Sequence, residues 1–171
     1  MTALGVAQAT SAAAAIRSDL CGRDLAEIVT SDLNRAVGTA RLIAEAISAP
    51  LRLDARLREH GLGSFEGLGY DETFAAASSI DWSDPDLPIG GGESANDVIE
   101  RTRAALGDLD SDRISVVVSH GDTIRSILGW MSGAEPGDAP WVDVPNGAVT
   151  VLEGNRAPRW LPVAHPPPAQ R

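Results

Sequence analysis

The sequence predicts an α/β fold: a three-layer sandwich in which helices flank both faces of a mostly parallel β-sheet. The first observation is that short β-branched runs alternate along the chain with longer segments of helical periodicity. The second is that the run Ile114–Val118 is continuously apolar, which is typical of a strand buried on both faces of a parallel sheet.

The first third of the chain predicts two helices around one strand. The alanine-rich stretch Thr2–Ile16 lacks a basic segment followed by an apolar one, so it predicts a helix and not a targeting peptide. Leu25–Thr30 predicts a strand, and Ser31 is placed to cap a helix that runs to about Ser48. Leu51–Gly69 is glycine-rich and predicts a shaped loop.

The middle of the chain predicts irregular structure followed by a helix. Tyr70–Ser79 is compatible with a short helix, and the Pro- and Gly-containing stretch Asp81–Gly92 predicts an exposed excursion. Ser94 and Asp97 form a capping-box pattern, which predicts a helix from there to about Leu109.

The C-terminal part predicts a last helix and a hairpin. Thr123–Met131 has helical periodicity, and Ala148–Leu152 and Trp160–Val163 predict two strands that form a hairpin at one edge of the sheet. We expect one domain over residues 1–163, followed by a Pro-rich disordered tail over 164–171.

Composition restricts the classes of partner. The formal net charge is −10, which argues against nucleic acid and anionic membrane surfaces, and no apolar stretch is long enough for a membrane span. All basic residues are arginine, so an anion site must use Arg, His or backbone N–H groups. The single cysteine, Cys21, suits a cytoplasmic protein, and the three histidines have no metal-ligand spacing.

The clearest candidate functional residue is His120. It follows the predicted strand Ile114–Val118 and precedes Gly121 at a predicted helix N-terminus. Ligands of open α/β sheets bind at this edge, and the free N–H groups of a helix N-terminus favour phosphate. A histidine hydrogen-bonded in an ordinary strand-to-helix turn explains the same pattern, so spacing alone leaves both interpretations open.

Three other positions suit phosphate chemistry. Arg35 falls in the first turn after a predicted strand, where a guanidinium can hold phosphate oxygens in bidentate fashion. Glu59 lies in a glycine-rich loop, where a carboxyl group partly removed from water is a candidate proton donor. Taken singly, each is more often a solvated surface residue. The run from Gly90 to Ser94 is explained by a turn and a cap, with a substrate loop as the alternative.

Taken together, five segments resemble motifs of the histidine phosphatase superfamily, in its branch of phosphoglycerate mutases and small phosphatases. They occur in the family's order: Leu4-Gly5-Val6-Ala7-Gln8-Ala9, Ser31-Asp32-Leu33-Asn34-Arg35-Ala36, Leu57-Arg58-Glu59, Gly91-Gly92-Glu93-Ser94 and Ser119-His120-Gly121. The resemblance extends over nearly the whole chain.

One departure from the family concerns its Arg-His-Gly signature. In the family that segment carries the nucleophilic histidine on the first strand, ahead of the stretch that resembles Leu4–Ala9. We therefore expect the nucleophile and the first strand to be missing from these residues, through true loss or because the native chain extends further upstream. We also expect either an open slot beside Ile114–Val118, which offers an edge for a homodimer, or a substitute strand there, for example from a neighbouring chain.

The resemblance implies hydrolysis of a small phosphorylated substrate through a phosphohistidine, without a metal or cofactor. Arg35 and His120 would stabilise the phosphoryl charge, and Glu59 would protonate the leaving oxygen and then activate water. We expect all three to converge at the carboxyl edge of a central Ile114–Val118 strand. The implied substrate-binding residues are Ser31, Glu93, Ser94 and Gly121. The alternative is a catalytically inactive binding or structural module.

Overall fold

The computed structural model describes residues 1–69, 71–72, 75, 78, 80–81, 84–133, 142–154 and 156–164. Within them the regular elements are α1 (Ala3–Asp19), β1 (Leu25–Thr30), α2 (Asn34–Ile47), β2 (Leu51–Leu53), α3 (Ala95–Gly107), β3 (Ile114–Val118), α4 (Gly121–Met131), β4 (Thr150–Val151) and β5 (Arg159–Trp160). Single turns of 3-10 helix span Ala55–Leu57, Gly63–Phe65 and Ile89–Gly91.

The main sheet is parallel, with the strand order β2-β1-β3. Ile28 pairs with Leu51 on one side of β1, and Thr30 pairs with Val118 on the other. The expectation that Ile114–Val118 is the central strand is therefore wrong for the described residues, because β1 holds the middle position. β3 pairs with β1 along one edge, and within the described ranges no strand pairs with its other edge.

The side chains of β1 alternate between two helical layers. Ile28 is fully buried in a cluster with Ile16 of α1 and Ala40 of α2. The next residue, Val29, points to the opposite face and packs in a cluster with Ala105 of α3. Helices therefore cover both faces of the parallel sheet, which confirms the predicted three-layer α/β sandwich.

Two strands and one helix start follow the sequence signals closely. β1 and β3 have the predicted bounds. Ser94 caps α3 through a complete capping box, in which its Oγ accepts from the Asp97 amide and the Asp97 carboxylate accepts from the Ser94 amide. The predicted cap of α2 is wrong: the helix begins at Asn34, and the Ser31 hydroxyl accepts instead from the Leu33 amide at 3.3 Å.

Two other expectations need correction. The segment predicted as a loop from Leu51 contains the short strand β2, which is bonded to β1. The predicted hairpin exists as antiparallel β4 and β5, but it forms a separate two-stranded sheet and is not hydrogen-bonded to the edge of the main sheet.

Much of the predicted helix at 70–79, and the tail from 165 onward, lie outside the described residues. None of the described helices is long and apolar enough to cross a membrane.

Candidate active site

The carboxyl ends of β1 and β3 bring Ser31 and His120 together. Because the strands are parallel and Thr30 pairs with Val118, the residues that follow each strand emerge at the same edge. The Ser31 amide donates to the Val118 carbonyl at 3.0 Å, which extends the pairing by one residue. Ser31 is fully buried and His120 is 7% exposed, and the His120 Nε2 and Ser31 Oγ atoms are 2.8 Å apart.

Arg35 contacts the other ring nitrogen of the same histidine. It lies in the first turn of α2, and its Nε donates to His120 Nδ1 at 3.1 Å. A guanidinium can only donate, so Nδ1 must accept and the ring proton must be on Nε2. His120 therefore donates from Nε2 to the Ser31 hydroxyl, and this pattern of bonds requires a neutral imidazole.

The surroundings of His120 also favour the neutral ring. Burial is the largest influence, and the positive charges of Arg35 and Arg101 add to it, against a smaller opposing effect of Asp32. Together they lower the pKa of His120 from 6.5 to about 4. The imidazole is thus a neutral hydrogen-bond donor beside a permanently charged guanidinium at neutral pH.

The N-terminus of α4 begins directly after His120, which occupies its N-cap position. The first amides of a helix lack intrahelical acceptors and carry partial positive charge, so this end attracts anions. The Thr123 amide is used by Glu59, whose Oε1 accepts from it at 3.2 Å. Glu59 thus lies against the same helix end as His120, and the predicted convergence of Arg35, Glu59 and His120 at the carboxyl edge is confirmed in geometry.

The Glu59 carboxylate is bonded on one oxygen. Oε1 accepts from the His60 amide at 3.1 Å as well as from Thr123, whose hydroxyl is also 3.4 Å away. In the part of the chain that the structure describes, no hydrogen bond reaches Oε2. One oxygen fixes the orientation of the carboxyl group, and the other is open to exchange a proton with a bound group.

The loops at Gly61–Gly63 and Gly90–Gly92, which flank the Glu59 segment, are in close backbone contact. A Cβ at Gly92 would lie 2.1 Å from the Gly61 carbonyl oxygen, and one at Gly63 would lie 2.4 Å from the Gly90 carbonyl oxygen. Gly63 also has a φ of +54°, which disfavours other residues. Gly90 and Gly92 of the predicted glycine run are therefore required by packing against the loop that follows Glu59, whereas a Cβ at Gly91 would meet nothing within 4 Å.

Glu93 and Ser94 are already engaged within the protein. The Glu93 carboxylate accepts from the Gly61 amide at 2.8 Å and from both Nε and Nη2 of Arg101. Burial opposes the charged form, but the bonds from Arg101 and Gly61 outweigh it and hold the pKa of Glu93 below its ordinary value. Arg101 was not predicted as a site residue, because helical periodicity gives a polar position on α3 no distinguishing mark.

The other histidines contribute differently. His60 directs Nε2 to the Glu93 carbonyl oxygen at 2.8 Å, so its ring supports the loop contact. His165 lies outside the described residues. Among the described residues, no group of three or more His, Cys, Asp or Glu side chains is arranged to hold a metal ion.

Comparison with known proteins gives the family. The model of the histidine phosphatase superfamily (branch 1) matches residues 1–162. Glucosyl-3-phosphoglycerate phosphatase of Mycobacterium tuberculosis H37Rv is 31% identical, over 92% of this chain and 76% of that protein. A probable phosphoglycerate mutase of Proteus mirabilis is 33% identical, over 78% of this chain and 63% of that protein.

The fold agrees with these sequence matches. A mycobacterial glucosyl-3-phosphoglycerate phosphatase solved with inorganic phosphate superposes with a TM-score of 0.74 at 30% identity. The superposition covers 97% of this chain and 87% of the other. The chain belongs to the histidine phosphatase superfamily, in its first branch.

Proposed function

We propose that this chain is a phosphomonoesterase-type domain that binds a small phosphorylated substrate at the carboxyl edge of β1 and β3. The observation that carries the proposal is the contact of Arg35 with His120 at the N-terminus of α4. A guanidinium, an imidazole donor and the first amides of α4 form a cationic corner in a chain with a net charge of −10. Such a corner is complementary to a phosphoryl group.

Each predicted catalytic residue has a role that its geometry supports. Arg35 would donate from its terminal nitrogens to the phosphoryl oxygens, where negative charge increases in the transition state. His120 would donate to them from Nε2, in exchange for its bond to the Ser31 hydroxyl. Glu59 would give a proton from Oε2 to the leaving oxygen and then accept one from the attacking water. Its Oε1 would keep the carboxyl group oriented through the Thr123 amide.

The proposed substrate-binding residues divide into two pairs. Ser31 and Gly121 flank His120 and would contact the phosphoryl group through a hydroxyl and a helix N-terminal amide. Glu93 and Ser94 bond to Gly61 and Asp97. We propose that they shape the substrate side of the site by fixing the loop beside Glu59.

The relatives support a small phosphate monoester as the substrate class. Two of the matches reported above are named for a phosphatase of glucosyl-3-phosphoglycerate, a phosphorylated metabolite. We propose a phosphatase and not a mutase, because the relative and the solved structure that cover the largest share of the chain among those reported above are named phosphatases. The single exposed cysteine, Cys21, supports a reducing compartment such as the cytoplasm.

Hydrolysis through a phosphohistidine needs a nucleophile, and the described residues do not supply an evident one. A phosphohistidine requires a second imidazole with an available nitrogen at the site. Among the described residues, both nitrogens of His120 are bonded and His60 directs Nε2 to a backbone carbonyl. This observation favours the second candidate function, a phosphate-binding module with little or no hydrolysis.

Hydrolysis of p-nitrophenyl phosphate by the purified 171-residue chain distinguishes the two functions. Because the described residues place no second imidazole with an available nitrogen at the site, and a catalytic unit without one member can lose several orders of magnitude in rate, we expect hydrolysis at or near background, with no acid-labile phosphate trapped on the protein. His120→Ala is the test variant, and Arg113→Met, at the opposite end of β1, is the control. Robust turnover that depends on His120, with acid-labile phosphate on His60 or His165, would show that another histidine is the nucleophile and that this site account is wrong.

A further inference from the structure

Arg101 is the most extensively bonded side chain near the candidate site. Its Nε and Nη2 donate to the two carboxylate oxygens of Glu93, at 2.6 and 3.0 Å. Nη1 donates to the carbonyl oxygens of Arg56 and Arg58, at 2.6 and 2.8 Å, and Nη2 donates to that of Glu59 at 3.1 Å. A guanidinium has five N–H donors, so every donor of Arg101 is used.

The carbonyls that Arg101 binds belong to the segment that carries Glu59. This segment begins in the single 3-10 turn Ala55–Leu57 and continues beyond it as irregular backbone, so it has no strand or longer helix to satisfy its carbonyl oxygens. Polar backbone groups removed from water need partners, and one planar guanidinium supplies three of them. Arg101 shares this backbone with two hydroxyls, since Ser119 Oγ donates to the Leu57 carbonyl at 2.9 Å and Thr123 Oγ1 to the Arg58 carbonyl at 2.8 Å. Arg101 alone reaches three of the carbonyls, so it makes the largest side-chain contribution to the position of the segment.

The placement of Arg101 on α3 explains how it reaches the loop. The capping box at Ser94 fixes where the helix starts, and Val98, one turn before Arg101, is fully buried. Helical side chains tilt toward the N-terminus, so the guanidinium extends back along α3 toward Glu93. Its side chain is only 17% exposed, which removes competing water.

Arg101 is not a phosphate ligand in this arrangement. Each of its N–H groups already has an acceptor within the protein, whereas Arg35 uses only Nε on His120 in the described contacts. The charge of Arg101 still reaches the site, since it contributes to the lowered pKa of His120. Arg101 therefore acts on His120 through its charge, and it would not contact a bound phosphoryl group.

We propose that Arg101 is a positioning residue, which clamps residues 56–59 so that the Glu59 carboxylate meets the Thr123 amide at the N-terminus of α4. This inference deepens the proposed function, on which it rests for the catalytic meaning of Glu59. Glu93 is the second half of the clamp, because it neutralises Arg101 and bonds the Gly61 amide on the far side of Glu59.

The Thr123 amide provides a direct test on the intact chain. Its N–H donates to Glu59 Oε1, so its NMR shift should titrate when Glu59 gains or loses a proton. Glu59→Gln should abolish this titration and so identify its source. Arg101→Met should reduce the amplitude by about two-fold or more, because hydrogen bonds weaken steeply when their geometry is lost.

Arg113→Met is the matched control. Arg113 also bonds a carboxylate through two nitrogens and a backbone carbonyl, but its partners are Asp24 and Leu25 at the opposite end of β1. This variant should leave the Thr123 titration unchanged. Unchanged resonances of Ile28 and Val117 would verify that the sheet is intact in every variant.

Arg101→Lys makes the test decisive if Arg101→Met does not fold. Lysine has three donors and cannot supply five bonds, so an intermediate amplitude is expected. Full wild-type amplitude in a folded Arg101 variant would overturn the proposal, and so would unfolding of both variants, which would indicate a purely structural role. The readout reports the position of Glu59 and not turnover, so failure of the phosphatase assignment would leave this result interpretable.

Discussion

At the residue scale, the state of His120 is set by two bonds of opposite direction. Arg35 can only donate to Nδ1, so the ring must donate from Nε2 to Ser31. Protonating Nδ1 would place two donors against each other in a buried site beside a positive charge. The sequence places Arg35 and His120 after two predicted strands, and so at one edge of the sheet, but it does not give the direction of their hydrogen bond.

This arrangement predicts a pH dependence of stability. Because the pKa of His120 is lowered from 6.5 to about 4, the folded state favours the neutral ring. Its contribution to stability is therefore complete above pH 6.5 and is lost as the pH falls toward 4. Burial, Arg35 and Arg101 act in this direction, and only Asp32 opposes them.

We expect the free energy of unfolding to fall by about 2 kcal/mol between pH 7 and pH 4.5 because of this residue. Urea denaturation at both pH values measures the loss. His120→Gln, which cannot titrate, should remove that part of the pH dependence while leaving the contribution of the carboxylates. An equal pH dependence in the two proteins would show that His120 is not held neutral.

At the element scale, the contact between the loops at Gly61–Gly63 and Gly90–Gly92 connects α3 to the Glu59 segment. Gly92→Ala would place a Cβ 2.1 Å from the Gly61 carbonyl oxygen, so backbone must move. We expect a loss of about 1–3 kcal/mol in the free energy of unfolding, the usual range for overpacking.

Gly107→Ala is the matched control for this substitution. Gly107 ends α3, and a Cβ there would meet nothing within 4 Å. Its free energy of unfolding should be unchanged or raised by up to about 1 kcal/mol, since alanine favours helix. Guanidinium denaturation of the two variants makes the comparison, and similar behaviour would exclude the close contact.

The elements also show where prediction from sequence reaches its limit. The β-branched runs of β1 and β3 and the capping box of α3 are local signals, and the predicted bounds of both strands and the predicted start of the helix were confirmed. β2 is only three residues long, so an alternation of apolar and polar side chains cannot be recognised in its sequence. It forms because β1 offers a free edge for pairing. The role of Arg101 also depends on contacts that are not local in sequence. Its partners Arg56 and Arg58 are more than forty residues away, so sequence analysis did not identify it.

At the scale of the whole molecule, the described sheet has a free edge along β3. The sequence Ile-Ser-Val-Val-Val has no charge or proline to discourage edge pairing, and Ser115 Oγ is buried without a partner. Each buried polar group left unpaired costs roughly 1–3 kcal/mol. A second strand would satisfy the unpaired backbone N–H and C=O groups of this edge, so we expect a homodimer through β3.

Sedimentation velocity and hydrogen exchange test this association. The weight-average mass should rise with concentration, and protection of the amides of residues 114–118 should rise with it. A stable monomer in which these amides are as protected as those of β1 at every concentration would contradict the expectation.

The central claim is that Arg35, His120 and the N-terminus of α4 form a phosphoryl site. Titration of the 15N-labelled chain with inorganic phosphate tests it most directly, because it needs no turnover. We predict that the amides of residues 121–123 shift, that Arg35→Met weakens binding roughly ten- to hundredfold through loss of a charge-assisted bond, and that Arg113→Met binds as the wild type does. Phosphate that shifts no amide at this helix end, or that binds equally well without Arg35, would contradict the claim.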